Sequence, residues 1–191
     1  MTQRRPYWKA SAKEILYASR GNVVAVRRLF TFIGIPFTVD RRSWQFVPPK
    51  FIVGLVVALI ALSDQPLLDR ILTGFLFGGL LIVVLAIHIL GHILSSKLVA
   101  PPMTEARITP TLIETRYHDD PEYVTARVHL ARSLGGPIMN FVVGSISLII
   151  LDHIQNPALA FFAWANLVIG VIVLLPFPSV DGGVIWREMF K

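Results

Sequence analysis

Residues 71–100, "ILTGFLFGGLLIVVLAIHILGHILSSKLVA", run for 30 positions with a single formal charge, Lys97. As a helix at about 1.5 Å per residue this run is about 45 Å long, more than the roughly 30 Å of a bilayer's hydrocarbon core. Every backbone N–H and C=O in hydrocarbon must be satisfied within the chain, so a run of this length folds as a tilted transmembrane helix. The rest of the chain agrees: 54% of its 191 residues are hydrophobic and 16% charged, against about 25% charged in soluble domains. The sequence therefore predicts an all-α membrane protein with about four transmembrane helices. The candidate spans are residues 51–68, 71–100, 134–151 and 158–175. The apolar part of the first, residues 51–62, is short. It spans by borrowing residues 44–50 or 63–68, or else it is re-entrant.

Charge is distributed unevenly. Residues 1–50 carry ten Lys/Arg against Glu14 and Asp40, and residues 51–191 carry eight against ten acids. Basic segments beside apolar spans stay cytoplasmic and attract anionic lipid heads. The chain is accordingly expected to divide into a basic cytoplasmic or interfacial segment, 1–50, and a transmembrane domain, 51–191. Its partners are membrane lipids, with no nucleic acid, because no aromatic-basic nucleic-acid motif accompanies the charge. The first 20 residues lack the apolar core of a cleavable signal peptide. Val23, Val26, Phe30 and Ile33 follow helical spacing with Arg27 and Arg28 among them. Residues 11–37 thus read as an amphipathic helix on the membrane surface, or as an ordered tail packed on the bundle. Between the second and third spans, "ARITPTLIETRY" alternates around Pro110 and predicts a small strand pair.

Inside the long run, "HILGH" sets His88 and His92 four residues apart. On a helix their Cβ atoms lie about 5–6 Å apart on one face, so both imidazoles can reach one ion. A lone histidine on an apolar face is more often a satisfied core residue, but ionisable groups inside a span are rare and mark an ion or substrate path. The chain contains no cysteine, so a third ligand must be a carboxylate, another histidine or a backbone oxygen. Asp181, in "LLPFPSVDGG", directly follows the fourth span. Taken alone it reads as a turn after two prolines, with Gly182-Gly183 turning the backbone away. Counting crossings from a cytoplasmic N-terminus, however, brings the ends of spans two and four to the same face. His88, His92 and Asp181 then converge. A further segment, "LGGPIMNF" at 134–141, reads by itself as a helix start with small residues for close packing.

"HILGH", "GGPIMN" and "LLPFPSVDGG", in this order on successive spans, resemble the site-2 protease family of intramembrane zinc metalloproteases. The resemblance covers residues 71–186. It implies a zinc ion held by His88, His92 and Asp181, a substrate-binding group of Gly136, Pro137, Asn140 and Asn166, and a small sheet after the histidine helix. Two departures bear on activity. Ile89 stands where the family's HExxH motif has its catalytic glutamate, and Val173 stands where the family has an asparagine. Peptide hydrolysis needs a base, a contribution of about 10²- to 10⁴-fold, and isoleucine has no lone pair. The resemblance therefore implies a metal-binding pseudoprotease that engages transmembrane segments of client proteins without cleaving them. Two alternatives stand beside it. One is an active protease using a non-standard base from Glu105, Glu114, Asp119, Asp120 or Glu122. The other is an ion or proton transporter.

Overall fold

The computed structural model describes residues 14–19, 22–99, 102–117 and 124–190. Five helices form the body: α1 (Pro48–Ala61), α2 (Leu67–Leu98), α3 (Ala126–His153), α4 (Pro157–Ile172) and α5 (Asp181–Met189). A short 3₁₀ turn at Ser43–Phe46 precedes α1. With that turn, residues 43–61 make a 19-residue apolar helical unit, and α1 reaches spanning length by borrowing the residues before it. Among the described residues three helical units are long and apolar enough to cross a membrane: this one, α2 and α3. The expected fourth span, α4, is a shorter apolar helix of 16 residues. It starts where Asn156 accepts hydrogen bonds from the amides of Ala158 and Leu159, with Pro157 at the first position, a residue whose missing N–H costs nothing there.

Small residues let the helices touch. A Cβ on Gly54 of α1 would lie 2.4 Å from the amide nitrogen of Gly78 and 2.5 Å from the carbonyl oxygen of Gly74, so the α1–α2 contact is backbone against backbone, as in GxxxG-type membrane packing. The α2–α3 contact is as close: a Cβ on Gly91 would lie 2.2 Å from the Gly135 carbonyl oxygen. Because Gly91 sits between His88 and His92, this approach presses α3 onto the histidine face. Phe77 of α2 stacks on Phe161 of α4 with ring centroids 4.0 Å apart.

The strand pair after α2 is present as β4 (Met103–Ile108) and β5 (Ile113–Tyr117), but it belongs to a larger sheet. Strands β1 (Glu14–Ser19), β2 (Asn22–Phe32) and β3 (Ile35–Val39) precede α1, and the sheet order is β1-β2-β3-β4-β5. All neighbours are antiparallel except β3 and β4, which run parallel with Phe37 opposite Ala106. The amphipathic helix expected at residues 11–37 is thus corrected to three strands. Val23, Val26, Phe30 and Ile33 fit a helical stripe, but "NVVAVRRLFTF" is rich in β-branched and aromatic residues that favour a pleated surface, and β4 supplies a ladder that no local pattern reveals. Ile35 and Phe37 of β3, Ile89 and Ile93 of α2, and Met103 and Ala106 of β4 form one buried apolar cluster. This cluster seats the sheet on the last turns of α2.

Pro137 is a second correction. It was expected in the first turn of a helix, yet it lies inside α3, which starts at Ala126. The proline has no N–H to give the Ser133 carbonyl, and the helix continues past it because its neighbours pack around it.

Candidate metal centre

His88 and His92 both face the junction of α2, α3 and α5, at 8% and 3% exposure. Their rings meet edge to face, with centroids 4.6 Å apart. Asp181 is brought to them by the end of α4. The prolines of "LLPFPS" stop that helix, and the chain folds back so that the Gly182 amide donates to the Val173 carbonyl at 2.7 Å. The indole N–H of Trp186 donates to the Leu174 carbonyl at 3.0 Å. Asp181 is then the first residue of α5, where a carboxylate is favoured by the helix dipole. The Gly182-Gly183 pair does not turn the backbone away as expected. Both glycines lie in the first turn of α5, and a Cβ on Gly182 would fall 2.1 Å from the Leu175 carbonyl oxygen. The glycine is needed for close approach, not for an unusual dihedral angle.

The hydrogen bonds assign the imidazole tautomers. His88 Nδ1 lies 2.7 Å from Asn140 Oδ1, and His92 Nδ1 lies 2.8 Å from the Arg132 carbonyl oxygen. The Asn140 amide nitrogen faces Asn166 Oδ1 at 2.9 Å and the Val84 carbonyl at 3.4 Å, so its oxygen faces the histidine. Asn166 in turn donates to the Phe162 carbonyl at 2.9 Å. Both Nδ1 atoms face oxygen acceptors and must carry the proton, which leaves a lone pair on each Nε2.

Those two Nε2 atoms are 3.0 Å apart, and Asp181 Oδ2 lies 3.1 Å from one and 3.3 Å from the other. Three lone-pair-bearing atoms therefore close a triangle with no donor among them, buried at the two histidines and partly buried at Asp181. Such a triangle repels itself unless a cation joins it. The spacing matches the edge of a zinc coordination tetrahedron, about 3.3 Å for bonds of about 2.0–2.1 Å. The chemistry of the donor set, two neutral imidazoles and a carboxylate, fits that ion. Among the described residues these three make up the one cluster of three or more metal-type ligands. A proton on an Nε2 is the cation available without metal. Burial pushes the Asp181 carboxyl up, but once that proton is in place, hydrogen bonding and charge from the histidines outweigh it and hold the carboxyl at about 2.

The residues of "GGPIMN" pack behind the imidazoles. A Cβ on Gly136 would sit 2.5 Å from both His88 Cε1 and His92 Nε2. Gly136, Pro137, Asn140 and Asn166 are buried and lie outside the wall of the cavity above the triangle. That cavity, about 570 Å³, is walled by the β4–β5 turn and β5 on one side and by α3 and α5 on the other, with the two histidines and Asp181 in its lining. Ile89 and Val173 both line it. Ile89 is 3% exposed and belongs to the apolar cluster under the sheet, so the position of a general base is filled by an aliphatic side chain. Of the acids considered as substitutes, Glu114 lines the cavity and pairs with Arg116 at 3.1 Å. Glu105 is buried in β4, engaged by Thr38 and Arg107. Asp119, Asp120 and Glu122 lie outside the described residues. The contribution of the Arg132 carbonyl has no sequence signature, because a backbone oxygen belongs to every residue.

Comparison with solved structures finds the site-2 protease from Methanocaldococcus jannaschii, at 24% identity and a TM-score of 0.59, covering 86% of this chain and 71% of that one. The likeness establishes a shared site-2-protease-like fold. No protein-family model matches the chain, and a search of curated proteins finds no match. With its long apolar helices, the chain is an integral membrane protein built on that fold.

Proposed function

We propose that this protein is an intramembrane pseudoprotease that keeps the metal centre of a zinc protease and binds transmembrane segments of client proteins without cutting them. The observation that carries the reading is the triangle of His88 Nε2, His92 Nε2 and Asp181 Oδ2 beside an isoleucine at the base position. His88, His92 and Asp181 would hold the ion. When bound, zinc supplies Lewis acidity at the floor of the cavity. The remaining work belongs to the chain. Asn140 and the Arg132 carbonyl orient the two imidazoles, Gly136 admits them side by side, and Asn166 holds Asn140. Ile89 accepts no proton and excludes water from the space a carboxylate would take, so peptide binding is uncoupled from hydrolysis. The N-terminus on the cytoplasmic side, from the positive charge of residues 1–50, belongs to the same proposal.

The test is the metal content of purified protein beside a His88→Ala/His92→Ala variant, together with a reconstituted cleavage assay on a generic transmembrane substrate. The reading expects about one zinc per chain in the wild type, none in the variant, and no cleavage by either. Wild-type zinc at the level of the variant rejects the metal centre. Chelator-sensitive cleavage by the wild type rejects the pseudoprotease.

One observation favours a second reading. Glu114 lines the same cavity as the three ligands, so an active protease would draw its base from β5. Glu114→Gln abolishing such cleavage while leaving zinc bound would select it.

A further inference from the structure

The turn between β2 and β3 carries an apolar tip that is exposed among the described residues. Leu29, Phe30, Phe32 and Ile33 are each between 41% and 56% exposed. Ile33 adopts a left-handed φ of 49° ahead of Gly34 at 83°, a conformation that disfavours a β-branched residue and suits Asn or Gly. An apolar side chain at such a position is strained locally and gains nothing from water.

The sheet sets where this tip lies. Pairing of β3 with β4 matches Phe37 with Ala106 in parallel register. Continued back along both strands, that register brings the Ile33–Gly34 turn beside residues 102–103, where the chain leaves α2. Independently, Ile35 and Phe37 are buried on Ile89 and Ile93 in the last turns of the same helix. The tip therefore stands level with the end of a membrane-spanning helix whose own terminal Leu94 and Leu98 are exposed. Behind the tip on β2, Arg27 and Arg28 are exposed. The 3₁₀ turn that leads into α1 adds an exposed Trp44, the residue type that marks membrane interfaces.

We propose that the β2–β3 hairpin is a membrane-interface finger: its tip enters the boundary between head groups and acyl chains, and Arg27 and Arg28 meet lipid phosphates. The depth follows from hydrogen bonding. Among the described residues β1 pairs with β2 up to Arg27; a hairpin, unlike a helix, does not satisfy its own outer backbone edge, so its tip belongs at the wet boundary rather than in the hydrocarbon centre. At the boundary that edge stays wet while the side chains reach lipid. The finger anchors the sheet, and with it β5 over the cavity, at a set height on the bilayer. It requires no metal.

The chain has no cysteine, so single cysteines report cleanly. Phe32→Cys and Ile33→Cys would be placed in vesicles of phosphatidylcholine and phosphatidylglycerol, with Gln65→Cys in the α1–α2 turn as the wet reference and Leu94→Cys as the lipid reference. The finger predicts that a charged thiol reagent, present on both sides of the bilayer, modifies positions 32 and 33 at least about tenfold more slowly than position 65, because only the thiolate reacts and an apolar setting disfavours it. It also predicts that a fluorophore at either position is quenched by bromine on upper acyl carbons as strongly as at position 94. Modification at the rate of position 65 overturns the proposal. So does protection without lipid quenching, which would mean that protein covers the tip. Phe32→Trp keeps an aromatic tip and gives a second measurement: bromolipid quenching beyond that of the wild type supports the finger, and none rejects it.

Discussion

His88 Nδ1 donates to Asn140 Oδ1 at 2.7 Å across the α2–α3 contact, in the fully buried interior of the bundle. This bond commits Nε2 of the same ring to carry its lone pair toward Asp181. An amide that the sequence offers only as one turn of an apolar helix thus sets the protonation of a candidate ligand on the neighbouring helix.

Asn140→Ala is expected to weaken zinc binding by about 10- to 100-fold, the usual effect of removing a partner that orients a histidine ligand. Asn140→Asp keeps the acceptor oxygen and is expected to retain most of the affinity. Competition titration against a chelator of known affinity distinguishes the two. Equal loss in both variants would reduce Asn140 to a packing residue.

Gly136→Ala places a methyl group where His88 Cε1 and His92 Nε2 now lie 2.5 Å away. The rings cannot withdraw without breaking their Nδ1 bonds to Asn140 and Arg132. Zinc stoichiometry should fall toward zero, with a stability loss of about 1–3 kcal/mol typical of overpacking. Gly79→Ala, at a glycine with open space around it, should change neither. Zinc retained at full stoichiometry by Gly136→Ala would show that α3 can move away from the histidine face.

Metal and proton compete for one triangle, so zinc affinity should fall with acidification. The carboxyl of Asp181, held at about 2, stays ionised throughout the working range, and the loss is therefore expected from protonation of the imidazoles rather than of the carboxyl. In the metal-free protein the sign is also set. A carboxyl whose folded value lies below its unfolded 3.8 stabilises the fold above that value. The contribution is lost as pH falls from about 4 through about 2. Zinc release followed by a chromogenic chelator from pH 8 to 5 tests the first statement, and unfolding of the apo-protein in detergent below pH 4 tests the second. Release that begins only near pH 4 would move the controlling group from the imidazoles to the carboxyl.

Ile89→Glu tests why the wild type should not cleave. Without metal, a carboxylate inserted among Ile35, Phe37 and Ile93 leaves a buried charge without a partner and should cost about 3–5 kcal/mol. With metal beside it, the same carboxylate gains a cation, so added zinc should recover most of that loss in a thermal unfolding assay. Cleavage activity is expected only when Val173→Asn accompanies it, because Val173 shares the cavity wall. Stability of Ile89→Glu that is indifferent to zinc would place residue 89 out of reach of the centre.

Length, hydropathy and spacing determined much by themselves. A 30-residue apolar run has to be a helix in a membrane, histidines four apart have to share one of its faces, and the chain's return through α3 and α4 is what the pattern expects to bring Asp181 to their side. "ARITPTLIETRY" announced its own hairpin through alternation and a proline. These are local or countable properties, and a chain carries them without knowing its neighbours. Tertiary structure decided what depends on partners distant in sequence. Residues 22–37 satisfy a helical stripe and a strand pattern alike, and the ladder offered by β4, some 70 positions later, selects the strand. Pro137 looks like the start of a helix until the bundle carries α3 past it on both sides. The tautomers of His88 and His92, on which the proposed metal centre rests, are set by an amide on α3 and a backbone carbonyl that no residue type announces. A hydrogen bond needs both of its ends in place, and the sequence displays only one at a time.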